Sequence, residues 1–267
     1  MAQAVNVSKK LIDRWYLSKP VRQILFYVIL ILAWEGLARA NIWPAYSFPA
    51  PTDVTTSLVS GFEDGSIIGA LLVSLQRLAI GYAISLVIGV ILGLLIGRSR
   101  LASETVGSLV LGLQALPSIC WLPLAILWFG LTEQAIIFVV VMGALFSITL
   151  GVEAGVKNTP PLYLKAARNM GARGIALSTE VVLPAALPAI ITGLKQGWSF
   201  AWRSLMAAEL LYATLSLGNL LENARNLDDI AAVVAVMLVI IAIGVIINSL
   251  IFAPLERSVR ERWGLTV

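Results

Sequence analysis

Apolar residues along this chain come in long unbroken runs. LVIGVILGLLIG, residues 86–97, shows neither the period-two alternation of a half-buried strand nor the polar stripe of a soluble amphipathic helix. A bilayer-spanning helix needs about 20 mostly apolar residues, and a membrane barrel would instead show alternating segments of about ten. Six spans are predicted, over residues 24–40, 67–97, 105–130, 135–152, 186–215 and 230–253. The third is interrupted by Pro117 and Pro123, and the second contains an uncharged stretch over 78–97. The fold class read from this pattern is all-α, a polytopic membrane protein. Residues 1–23 precede the 24–256 membrane domain and 257–267 follow it.

Composition agrees. Of 267 residues, 59% are hydrophobic and 13% charged, against roughly 25% charged in a soluble domain. Mean hydropathy is +0.90. Basic residues precede a first apolar run that ends in Ala38-Arg39-Ala40, imitating a signal-peptidase site. The long basic segment and Glu35 within the run favour a retained first span over a cleaved leader.

The distribution of lysine and arginine predicts orientation. Fourteen fall on one side of the six-span layout, among them Lys9, Lys10, Arg14, Arg98, Lys157, Arg173 and Arg257, and only Arg39 and Arg225 fall on the other. Both termini and the 157–186 loop are therefore expected in the cytoplasm. On the opposite side, Pro44, Pro49 and Pro51 in residues 41–65 read as extended or turn structure.

The chain has no histidine, which removes His-ligated metals, Ser-His triads and His proton relays. Its single cysteine, Cys120, lies in an apolar run and is expected to be buried and inert. No G-x-x-x-x-G-K-[ST] stretch occurs, so the chain is not expected to hydrolyse ATP.

The sequence breaks from apolar character at KAARNMGARGIALSTEVVLPAALPAI, residues 165–190. Thr159-Pro160-Pro161 suits a helix start. A short amphipathic helix is predicted over 162–170, ended by Gly171 as a left-handed cap. A second helix is predicted over 172–183, with Pro184 and Pro188 marking the return to the membrane. Two short helices outside the bilayer suit docking of a partner, with Ala166 and Ala167 permitting close approach. The alternative is a plain connector.

On a helical wheel of span five, Lys195, Gln196, Ser199, Trp202, Arg203, Met206 and Glu209 fall within about 140° of one another, while Gly197, Ala201, Ser204 and Ala208 form the opposite, small-residue face. Ionisable groups in a span cost about 2.5–3.5 kcal/mol each at the bilayer centre, so they are expected to face an aqueous path or to pair. Lys195 sits where it can snorkel. Arg203, about 12 Å deeper at 1.5 Å per residue, is the stronger pathway candidate, the alternative being an ion pair with a glutamate on another helix. Arg77 admits three readings: an interfacial arginine, a partner for Glu209, or an anion contact. Glu35 reads as structural.

In Ala166, Ala167, Gly171, Val181, Leu183 and Pro184 the chain resembles the EAA motif of bacterial ABC importer permeases, with Lys165 where the motif has glutamate and Val181 where it has isoleucine. SLQRLAIGYAISLVIGVILGLLIGRSR, LPSICWLPLAILWFG and WRSLMAAELL extend the resemblance over 74–254 and toward the subgroup importing nitrate, bicarbonate, taurine and alkanesulfonates. The resemblance implies a type I permease that works by alternating access. It implies that Lys165, Ala166, Ala167, Arg168, Gly171, Ala172, Leu183 and Pro184 couple to a cytoplasmic ATPase. It also implies a second permease copy, two ATPase subunits carrying ATP and Mg2+, an extracytoplasmic binding protein, and no cofactor on this chain. Lipid is the expected surround, and nucleic acid is not an expected partner. The rival class is a gradient-driven carrier or channel, which needs no ATPase contact. An intramembrane enzyme has no nucleophile–base pair or metal cluster to support it.

Overall fold

A computed structural model describes residues 19–264 except 41, 45 and 46. The basic residues Lys9, Lys10 and Arg14 lie outside the described residues. Among the described residues ten helices follow in order: α1 (Lys19–Arg39), α2 (Pro51–Glu63), α3 (Ser66–Arg98), α4 (Arg100–Gln114), α5 (Ser118–Phe129), α6 (Glu133–Lys157), α7 (Pro161–Asn169), α8 (Gly174–Glu209), α9 (Leu217–Asn226) and α10 (Ile230–Arg262). Five of them are long and apolar enough to cross a membrane. The pair α4 and α5, bent by 100° at residues 115–117, makes a sixth crossing if it is taken as one broken span.

The core is a three-helix layer, α3–α6–α8. α6 is its centre: 61% of its apolar window is buried, against 28% for α3, 22% for α8 and none for α1. Small residues set this proximity. On α3, Gly81, Ser85, Gly89, Gly93 and Gly97 recur every four residues, so they share one face. A Cβ added at Gly93 would meet the Thr149 carbonyl oxygen at 2.6 Å, and one at Gly81, Gly89 or Gly97 would strike Val140, Ile148 or Val156 of α6 at 2.6–2.9 Å. On the other side of α6, Gly151 and Gly193 of α8 meet backbone to backbone, each lacking room for a Cβ by a wide margin, 2.5 and 2.7 Å from the facing Cα. The small face expected on span five, with Gly197, Ala201, Ser204 and Ala208, is the one that α8 buries.

Four features depart from the sequence reading. Residues 51–63 form a helix rather than an extended segment. Pro51 sits in the first turn, where its fixed φ is favourable and its missing N–H costs nothing, and Asp53 caps the turn by accepting from the Ala50 N–H at 3.2 Å. Cys120 is exposed, because it lies on a 3-10 turn (Ser118–Trp121) at the α4–α5 knee rather than inside a packed helix. The predicted 172–183 helix does not end at Pro184. It starts at Gly174 and runs on as α8, through a π-type turn (Ser178–Val182) in which the Leu183 N–H bonds the Ser178 carbonyl five residues back. The widened turn absorbs the prolines that the sequence reading took for a break. Finally, α8 stops at Glu209 rather than at 215, for a reason given below.

Gly151→Val is expected to destabilise the protein by about 1–3 kcal/mol through overpacking against the Gly193 backbone. Gly112→Val, where an added Cβ meets nothing within 4 Å, is the control that should not. Detergent-solubilised thermal unfolding of the two variants checks the contrast.

Candidate functional site

Three clusters of polar residues stand out from the apolar bundle. The first lies where α3, α6 and α8 approach α9. Glu209, at the last turn of α8 and wholly buried, receives Ser74 Oγ at 2.8 Å and Arg77 Nη1 at 3.2 Å. Its carboxylate also accepts the Gly218 N–H at 3.3 Å, in the first turn of α9. Ser74 Oγ accepts from the Leu217 N–H at 3.0 Å, and Arg77 Nη2 reaches Glu133 Oε1 at 3.0 Å and Thr214 Oγ1 at 3.1 Å. The α9 N-terminus supplies N–H donors with no intrahelical partner, which suits a carboxylate. The chain must turn back immediately after Glu209 to bring them there, so α8 ends at that residue. Glycine is required at 218, since a Cβ would lie 2.5 Å from that of Glu209. Arg77 and Glu209, read in sequence as pathway candidates, are thus turned toward each other inside the protomer.

The second cluster is the α6–α7–α8 turn. Met170 caps α7 and Gly171 follows at φ +93°. The Ala172 N–H bonds the Ala167 carbonyl at 2.9 Å and the Gly171 N–H bonds that of Arg168 at 3.1 Å, a Schellman arrangement that closes the helix end. Around it Leu162, Tyr163, Met170 and Ile175 are all more than half exposed, beside exposed Lys165, Ala166, Arg168 and Arg173. Ala167 differs from its neighbour: it is buried, and it seats α7 against the bundle rather than facing outward. Leu183 packs against the core from the first α-turn after the π segment, and Pro184 beside it is half-buried, so both lie behind the exposed surface.

The third cluster lies on the open side of α8. Gln196, Ser199 and Arg203 are exposed there, Met206 is half-buried and Trp202 is buried. The polar arc read from the helical wheel is therefore divided, with Glu209 and Trp202 inward and Gln196, Ser199 and Arg203 outward. α8 packs against α6 through its small face, and the α9 turn then covers the end of the arc that holds Glu209. Arg203 Nε donates to the Ser199 carbonyl at 3.1 Å, and its guanidinium lies 4.8 Å over the Phe200 ring. Among the described residues no carboxylate lies within ion-pair distance of it. Lys195 is paired with Glu256 of α10 at 3.1 Å, and Glu35 with Arg39. Sequence reasoning missed Ser74, Glu133, Thr214 and Ser147. A carboxylate at the mouth of a span, as at Glu133, was the one available signal.

Residues 85–261 match the model of the binding-protein-dependent transport system inner membrane component family. The chain belongs to that family. It is 29% identical to the taurine transport system permease protein TauC of Escherichia coli over 87% of this chain and 88% of that one. It is 31% identical to the nitrate import permease protein NrtB of Leptolyngbya laminosa over 72% and 68% of the two chains. A solved chain of the MetNI methionine ABC transporter, in an inward-facing conformation, superposes with a TM-score of 0.58 at 21% identity, covering 77% of this chain and 97% of that one. The fold is that of a type I ABC importer permease, and the chain is a membrane permease component rather than the ATPase.

The buried network makes a stability prediction. Arg77→Met leaves the Glu209 carboxylate without its cation and should destabilise by about 3–5 kcal/mol. The double variant Arg77→Met/Glu209→Gln should recover a substantial part of that loss, and a double-variant thermal unfolding cycle checks it.

Proposed function

We propose that this chain is the translocation subunit of an ATP-driven importer for a small anion, acting by alternating access, with the α7 hairpin as its contact to the ATPase. The observation that carries the reading is the hairpin itself. An otherwise hydrocarbon-facing bundle holds up a short helix, fixed at both ends, whose free surface is apolar residues ringed by Lys165, Arg168 and Arg173. A mere connector needs neither a locked cap nor an exposed Met170 at 82% and Ile175 at 79%. In a soluble partner's groove those side chains lose their contact with water, at about 25 cal/mol per Å2 of apolar surface.

The hairpin is also mechanically well connected. α7 touches the π-type turn, and α8 runs on through that turn to Glu209. At 1.5 Å per residue the helix is about 54 Å long, so a displacement of α7 reaches the far side of the bundle. On this reading Lys165, Ala166, Arg168, Gly171 and Ala172 form or shape the contact, and Ala167, Leu183 and Pro184 transmit it. The permease works as two copies about a two-fold axis with two ATPase subunits, which carry ATP and Mg2+. This chain holds no cofactor of its own. An extracytoplasmic binding protein delivers the substrate. The lysine and arginine bias supports a cytoplasmic side for both termini and the hairpin. The taurine and nitrate specificities in the relatives' names, together with Arg203 on the open face of α8, which has no carboxylate partner among the described residues, support an anionic cargo.

Purification of the tagged chain from its own membrane should recover a P-loop ATPase. In that complex Gly171→Leu, which forces a branched side chain into positive φ, should reduce substrate-stimulated ATP hydrolysis to the basal rate. Gly171→Asn, which tolerates that backbone, should retain stimulation. Recovery of the chain alone, with transport in liposomes free of any ATPase, would replace the importer with a gradient-driven carrier.

A further inference from the structure

The 100° bend between α4 and α5 opens a cavity of about 350 Å3 against α6 and α8. Gln114 and Ser118 line it from the knee, Gly143 and Ser147 from α6, and Phe200 and Arg203 from α8. Two observations mark it as more than a packing gap. Ser147 is 4% exposed, yet its hydroxyl has no hydrogen-bond partner among the described residues. Other buried helical hydroxyls here do not behave so: Ser85, Thr149 and Ser204 each return the O–H to the carbonyl four residues back. A buried hydroxyl without a partner costs about 1–3 kcal/mol, so it requires a polar occupant of the cavity, water or anion. Independently, Arg203 lines the same cavity with its Nε spent on the Ser199 carbonyl and no carboxylate beside its terminal nitrogens among the described residues. Among the described residues no Asp or Glu lines the space.

We infer that the cavity at the α4–α5 knee is a binding site for a small monovalent oxyanion, held by the Arg203 guanidinium and the Ser147 hydroxyl. The chemistry matches in three respects. The terminal edge of a guanidinium presents two parallel N–H donors, which fit two oxygens of a nitrate, bicarbonate or sulfonate group. The Ser147 hydroxyl donates to a further oxygen. Ser118, in the first turn of α5, lines the rim of the same space and adds a further hydroxyl there. One cation with no neighbouring anion balances a single negative charge. A dianion would leave one charge uncompensated at membrane depth. Gly143 matters here too: a Cβ would collide with Ser204 Oγ and force α6 away from α8, misplacing Ser147 relative to Arg203.

The site rests on the anion-import reading, and its test must be able to fail separately from it. The importer complex, or the permease alone if no ATPase accompanies it, is placed in lipid nanodiscs with Cys120→Ser, which leaves the chain without a native thiol. Ser147→Cys is then labelled with an anionic sulfonatoethyl and a cationic trimethylammonioethyl methanethiosulfonate. Each rate is normalised to that with a free thiol in water and read as intact mass of this chain. A cleft holding a fixed cation should favour the anionic reagent by about tenfold or more. Arg203→Gln should bring the ratio near unity, Arg203→Lys should preserve it, and sodium methanesulfonate but not dimethyl sulfone should slow the labelling. Gln114→Cys is the second reporter and should follow the same pattern if Ser147→Cys does not assemble. An equal ratio for the two reagents, a ratio indifferent to Arg203→Gln, or no labelling at either position overturns the site. None of these outcomes bears on whether an ATPase co-purifies.

Discussion

Everything else in this bundle depends on how closely α6 is held between α3 and α8. Lipid chains are as apolar as leucine, so apolar burial alone gives helices in a membrane little reason to prefer one another. Association must come from close van der Waals contact, which requires small residues along the seam. Here the seam is double. Gly81, Ser85, Gly89, Gly93 and Gly97 bring α3 onto one side of α6, and Gly193, Gly197, Ala201, Ser204 and Ala208 bring α8 onto the other. At Gly151 and Gly193 two backbones touch with no side chain between them. With α6 fixed in this way, its two ends and its open flank become defined places. Each of the three polar clusters is anchored to one of them.

The two ends of the bundle solve opposite electrostatic problems. At the α9 end, Arg77, Glu209, Glu133 and two backbone N–H groups satisfy one another, with Arg77 Nε the buried donor left over. A buried ion pair of this kind contributes little net stability, because desolvation offsets the attraction. Its effect is geometric: it ties the ends of three helices to the first turn of a fourth. At the α7 end the cations Lys165, Arg168 and Arg173 are left in the open, around apolar side chains that none of the described residues covers. One end is therefore closed on itself and the other is available.

Much of this was legible in sequence, and the failures share a cause. Helix periodicity, the left-handed glycine at 171 and the small face of α8 depend on local geometry or on residue size, and a one-dimensional reading captures both. The Arg77–Glu209 pairing was available only as one of three options, since it depends on two residues 132 apart meeting. Sequence could not divide the polar arc of α8, because the division follows from where α9 folds back. Pro184 and Pro188 misled for a subtler reason. Proline removes one hydrogen bond and crowds the preceding turn, but a helix that widens to π spacing just before it can continue. Ser147 was invisible because a lone serine in a span normally bonds its own backbone, and only its neighbours in space reveal that this one does not.

The same irregularities that broke the sequence pattern locate the places where the bundle can deform. Regular stretches of α3, α6 and α8 are locked by backbone contacts that leave no room for sliding, since interfaces of this density have discrete arrangements rather than a continuum. Compliance must reside where hydrogen bonding is already non-α: the knee at 115–117, the π-type turn Ser178–Val182 at the foot of α8, and the further π-type turns Ser103–Gly107 in α4 and Asn248–Phe252 in α10. The first of these borders the cavity that holds Arg203 and Ser147, and the second joins the α7 hairpin to the helix that carries Arg203. From Leu183 to Arg203 α8 is one continuous helix with Pro188 inside it, and on the proposed coupling it carries motion from the hairpin past the knee. Ser147 belongs to α6 and Arg203 to α8, so on the proposed coupling the distance between them is the coordinate through which the far end of the lever is felt.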